Sequence, residues 1–72
     1  GKKSKQEMDE FYANFFEKAK EILAEDATII MYTNEIGFVK KQLRLQKEYS
    51  ILQETSMQPK NDFYLLIMRY KG

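Results

Sequence analysis

The side chains that could do chemistry in this chain are its carboxylates and its lysines, because it contains neither histidine nor cysteine. That removes the commonest general base, thiol nucleophiles, disulfides and the usual zinc ligands. Asp9, Glu10, Glu25, Asp26, Glu54 and Asp62 supply carboxylates, but no two are spaced to stand beside a nucleophile or to share a metal. They read as helix-end and surface charge, so a free-standing catalyst is the class these residues favour least. The basic residues fall into two groups, Lys2, Lys3 and Lys5 near the start and Lys40, Lys41, Arg44 and Lys47 in the middle. Charge runs of this kind are most often solvated faces. A net charge of +1, from 12 basic and 11 acidic residues, does not by itself mark a nucleic-acid binder.

The elements that must hold these residues follow from periodicity. Met8, Phe11, Tyr12, Phe15, Phe16, Ala19, Ile22 and Leu23 recur at three- and four-residue steps, which predicts an amphipathic helix over Ser4 to Ala24 with its four aromatics in the core. Ser4 and Glu7 have capping-box spacing, so the helix begins where the basic residues end. The β-branched and apolar run Ala27 to Thr33 predicts a strand covered on both faces. Asn34 is placed to cap a second helix of about ten residues from Glu35, with Ile36, Val39 and Leu43 inward and Lys40, Lys41 and Arg44 outward. Glu48 to Gln58, of mixed polarity, predicts an edge strand with Tyr49, Ile51, Gln53 and Thr55 on one face. A turn over Pro59 to Asp62 then leads to the nearly continuous apolar run Phe63 to Tyr70, which predicts a strand with a neighbour on each side.

The expected fold class is therefore α/β: an αβαββ unit with a three-stranded mixed sheet in the order 1-3-2, the last strand antiparallel and central. Its 72 residues make one domain at most, and a chain this short has little core to offset its ordering entropy. The order leaves one side of the strand 27–33 unpaired. An edge so apolar invites association, so self-association through strand 27–33 is expected. No apolar run approaches the roughly 20 residues of a membrane span, none looks like a signal peptide, and a cytoplasmic location is expected.

The segment Gly1-Lys2-Lys3-Ser4, leading into Asp9-Glu10-Phe11-Tyr12-Ala13-Asn14-Phe15-Phe16 and on to Lys20-Glu21-Ile22-Leu23, is similar to the stretch after the Asn/Asp-Pro-Pro-Tyr/Phe-Gly motif of class I S-adenosylmethionine-dependent methyltransferases. Thr28-Ile29-Ile30-Met31-Tyr32-Thr33-Asn34 resembles their fifth strand and its turn, and the final hairpin resembles the end of their Rossmann-like sheet. The likeness is greatest to the putative RNA (guanine-N2) methyltransferases that often carry a THUMP domain. It spans nearly the whole chain, through diffuse patterns rather than sharp motifs.

That resemblance implies the C-terminal part of an enzyme acting on tRNA or rRNA bases, with S-adenosylmethionine as the parent's cofactor and RNA as its partner. It also implies substrate contacts at Lys2, Lys3 and Lys5 and, outside the carboxyl ends of the strands, at Thr33, Asn34, Lys60 and Asn61. Against it, Asn34, Lys60 and Asn61 also suit ordinary cap and turn roles. The glycine-rich loop, the ribose-binding acid and the Pro-Pro loop are missing, since the glycines are Gly1, Gly37 and Gly72. The chain alone is thus expected neither to bind the cofactor nor to methylate. Rival readings are a standalone dimeric αβαββ binding module and a part of a DNA or protein methyltransferase.

Overall fold

The fold is taken from a computed structural model, which describes residues 3–57 and 62–72. The elements are α1 (Lys5–Ala19), β1 (Thr28–Thr33), α2 (Ile36–Leu45), β2 (Tyr49–Ser56) and β3 (Tyr64–Tyr70). The strands form one sheet in the order β1-β3-β2, with β3 central as its apolar continuity requires. β3 runs antiparallel to both neighbours, so β1 and β2 point the same way without touching. Every adjacent pair among the described strands is antiparallel, which corrects the expectation of a mixed sheet: the central strand separates the two that run in the same direction.

Both helices pack on one face of this sheet. Met8, Tyr12 and Phe16 of α1 and Val39 and Leu43 of α2 close over Tyr49, Leu66, Met68 and Tyr70 in a single core. Ser4 accepts a bond from the Glu7 amide at 3.2 Å while Glu7 accepts one from the Ser4 amide at 2.9 Å, so the capping box fixes the start of α1. The backbone bond from Ser4 holds the Glu7 carboxyl below its usual range. The helix stops earlier than its apolar period suggests, at Ala19 rather than Ala24. Beyond it Glu21 and Ile22 donate three residues back, to Lys18 and Ala19, tightening the chain into turns. Ile22 is left 86% exposed.

Only half of the aromatic stripe is core. Tyr12 and Phe16 are buried, whereas Phe11 and Phe15 are 49% and 44% exposed, because α2 covers one side of α1 and no described element covers the other. β1 departs from expectation for the same reason. Ile29 and Met31 face the helices, while Thr28, Ile30 and Tyr32 alternate onto a face that nothing described covers. Leu65, Ile67 and Arg69 of β3 share that face, and Phe63 stacks on Tyr32 with ring centroids 5.0 Å apart.

In β2 the pairing slips between Ile51 and Gln53. This β-bulge puts Tyr49 and Ile51 opposite Tyr70 and Met68 on the helix side, but Gln53 and Thr55 opposite Ile67 and Leu65 on the open side. The four residues therefore do not share one face. The turn expected at Pro59 to Asn61 lies outside the described residues.

Candidate functional site

The first residues of α1 and the junction between β1 and α2 meet at one corner of the molecule. Thr33 ends β1, and its buried hydroxyl accepts the Glu35 amide at 2.9 Å. That bond fixes the turn into α2 but does not cap it, because the amide it satisfies belongs to the cap residue itself. Glu35, not Asn34, is the cap residue of α2, no side chain caps the helix, and Asn34 is exposed. Tyr12 reaches across from α1 and donates its hydroxyl to Glu35 Oε1 at 2.6 Å, with Thr33 Oγ1 at 3.5 Å. Burial, and then the bond to Glu35, raises the Tyr12 hydroxyl above its ordinary pKa, so it stays a donor through the neutral range. This bond pins the start of α2 to the middle of α1 and turns the Glu35 carboxylate inward.

Around this pinned junction lies an open recess of about 690 Å³, lined by Lys3, Lys5, Met8, Phe11, Asn34, Glu35 and Phe38. Its size falls in the range of small-ligand sites, roughly 300–1,000 Å³. The Lys3 ammonium stands 5.7 Å from the centroid of the Phe11 ring, a cation–π distance. Beside it a second depression is bounded by Lys5, Asp9, Asn34, Ile36, Lys41 and Arg44.

The basic residues separate by pairing. Lys40 bridges to Glu54 at 3.1 Å and Lys41 to Asp9 at 3.0 Å, so both are engaged within the fold. Lys3 and Lys5 have no carboxylate within bridging distance among the described residues. The recess thus combines two cations outside any salt bridge among the described residues, the Glu35 carboxylate, two aromatic faces and an amide, and its lysine side suits a ligand bearing phosphate beside a flat ring.

Of the expected contact residues, the structure brings Lys3, Lys5 and Asn34 together. Thr33 is at the same corner but 6% exposed and committed to Glu35, so it braces the site rather than reaching a ligand. Lys2, Lys60 and Asn61 lie outside the described residues. Sequence reasoning missed Glu35, Phe11 and Phe38 as parts of this corner. Phe11 was visible only as one more member of the apolar stripe, and the bond joining Glu35 to Tyr12 spans 23 residues with no local pattern to announce it.

β1 passes into α2 through Asn34 and Glu35, and Gly37 lies inside α2. No group of carboxylates able to hold a metal ion occurs among the described residues, and none of their helices is long and apolar enough to cross a membrane. No family model, no curated protein and no solved structure matches the chain.

Proposed function

We propose that this chain is the C-terminal scaffold of a class I S-adenosylmethionine-dependent RNA methyltransferase acting on tRNA or rRNA bases, and that its basic recess is part of the RNA-contacting rim. The observation that carries the reading is the position of the recess. Lys3, Lys5 and Asn34 converge beyond the carboxyl end of β1, the end of the sheet at which ligands collect in open α/β folds.

Two features of the sheet support the same reading. β3 closes the sheet by inserting antiparallel between two co-directional strands, and an apolar face with an unpaired β1 edge suits a sheet continued by further layers. In that parent, Lys3 and Lys5, with Lys2 before them, neutralise backbone phosphate. Phe38 and Phe11 offer faces for unpaired bases, and the family resemblance adds Lys60 and Asn61, outside the described residues, as substrate contacts. Cofactor binding and methyl transfer belong to the parent's other segments.

Fluorescence anisotropy with a short labelled single-stranded RNA tests the rim. Weak, saturable, salt-sensitive binding is expected. Each lysine–phosphate contact adds about 0.7 to the slope of log affinity against log salt, so the Lys3→Ala, Lys5→Ala double variant is expected to flatten it by roughly 1.4. Lys71→Ala, at the chain's far corner beside Asp26, is expected to leave it unchanged. Identical slopes for the double variant and the parent chain would remove the recess from the RNA surface.

A further inference from the structure

The outer edge of β1, unpaired among the described residues, has apolar surface on both sides. On the helix-bearing face a groove of about 560 Å³ runs between the outer flank of α1 and the strand, lined by Phe11, Phe15, Ile22, Leu23 and Ile29 among others. On the opposite face Ile30 and Tyr32 are 68% and 57% exposed. A strand seated on this edge would meet hydrocarbon above and below, so it must itself be apolar on both faces and free of charge. Among the described strands only β1, Thr28-Ile29-Ile30-Met31-Tyr32-Thr33, has that composition, since β2 carries Glu54 and β3 carries Arg69. The edge also lacks the lysines, prolines and bulges that keep sheet edges apart.

We propose that the free chain forms a twofold homodimer in which β1 pairs antiparallel with β1 of a second copy. The backbone sets the register. The Tyr70 amide donates to the Ala27 carbonyl at 2.9 Å, and hydrogen-bonded pairs recur at every second residue of an antiparallel ladder. Ile29, Met31 and Thr33 therefore direct their peptide groups at β3, while those of Thr28, Ile30 and Tyr32 point outward. Centring the twofold on Ile30 places Ile30 opposite its own copy and Thr28 opposite Tyr32. All the outward groups of these three residues are then paired, and like faces remain together.

The same axis lays the two α1 helices antiparallel over the seam, with their Phe11 and Phe15 flanks turned toward each other. Glu7 stands in the first turn of α1 and Lys18 in the last, so each copy brings acid toward the other's base. Taking about 200 Å² for a large apolar side chain, the exposed fractions of 49%, 44%, 86%, 68% and 57% at Phe11, Phe15, Ile22, Ile30 and Tyr32 offer at most roughly 600 Å² per copy. The pair thus reaches at most about 1,200 Å², the low end for a specific interface, which with one backbone ladder fits a weak, reversible dimer.

This inference uses the strand edge and not the lysines, and it stands or falls apart from RNA binding. Sedimentation equilibrium of the full chain from about 1 µM to about 300 µM, a range that spans weak, reversible association, is expected to show a monomer–dimer equilibrium. Ile30→Pro removes an outward donor while leaving the β3 ladder intact, a substitution edge strands tolerate, and is expected to remain monomeric with unchanged circular dichroism. Phe15→Glu acts on the groove without altering the strand and is expected to weaken the dimer at least tenfold; it decides the matter if Ile30→Pro fails to fold. A wild-type chain monomeric throughout, or folded variants that associate as it does, would overturn the proposal.

Discussion

Phe16→Ala is expected to remove a large part of the chain's stability at 25 °C. The side chain is 1% exposed, and its ring lies 4.9 Å from the Tyr49 ring and 5.2 Å from that of Phe15 in edge contacts. It is the point at which α1 meets β2, so its loss leaves a cavity between helix and sheet that neither can easily collapse into. Truncating a buried Phe costs about 3–5 kcal/mol. At about 0.05–0.15 kcal/mol per residue, the 72 residues hold only roughly 4–11 kcal/mol in total. Thermal unfolding at fixed chain concentration is expected to show a Tm lowered by at least about 15 °C, or no transition. Leu52→Ala, at a side chain 50% exposed in the bulge region, is expected to move it by only a few degrees. Equal effects of the two changes would mean that the core is not centred on Phe16.

The second large effect is a loss of stability at alkaline pH that depends on Tyr49. Its hydroxyl donates to the Phe16 carbonyl at 2.6 Å in a buried position. Burial first, then the neighbouring Tyr70, Glu17 and Glu48, pushes its pKa up to about 12. An unfolded tyrosine titrates near 10. Below pH 10 both states keep the proton and the contribution to stability is constant. Between about pH 10 and 12 the unfolded chain releases a proton that the folded chain retains, so stability falls with a slope approaching 1.4 kcal/mol per pH unit for this group. Tyr12, raised for similar reasons, acts in the same direction.

Tyr49→Phe is expected to lower neutral-pH stability by about 1 kcal/mol through the lost hydrogen bond and to flatten the alkaline decline. Urea unfolding of both proteins at pH 8 and at pH 11 measures this. An unchanged alkaline slope in Tyr49→Phe would assign the proton to another group.

How far the sequence reveals the fold depends on whether each feature is local. The start of α1 is readable because Ser4 and Glu7 satisfy each other's backbone within one turn. The central place of β3 is readable because Leu65, Leu66, Ile67 and Met68 leave no polar face for water. The exposure of Phe11, Phe15, Ile30 and Tyr32 is not, since an apolar residue looks the same in sequence whether its cover comes from this chain, from another, or is missing. The bulge at Ile51 to Gln53 carries no glycine to mark it. At the candidate site, the lysines and Asn34 were legible as residue types in sequence. Their convergence was not, because it depends on Tyr12, Thr33 and Glu35 joining α1 to the end of β1.

The coding sequence immediately upstream of Gly1 is the most direct test of whether this chain is the end of a methyltransferase sheet. The expected result is an Asn/Asp-Pro-Pro-Tyr/Phe-Gly motif directly before the basic residues, which would set Lys2, Lys3 and Lys5 beside a catalytic loop. An initiation codon at that place, making the αβαββ unit a protein of its own, would contradict it.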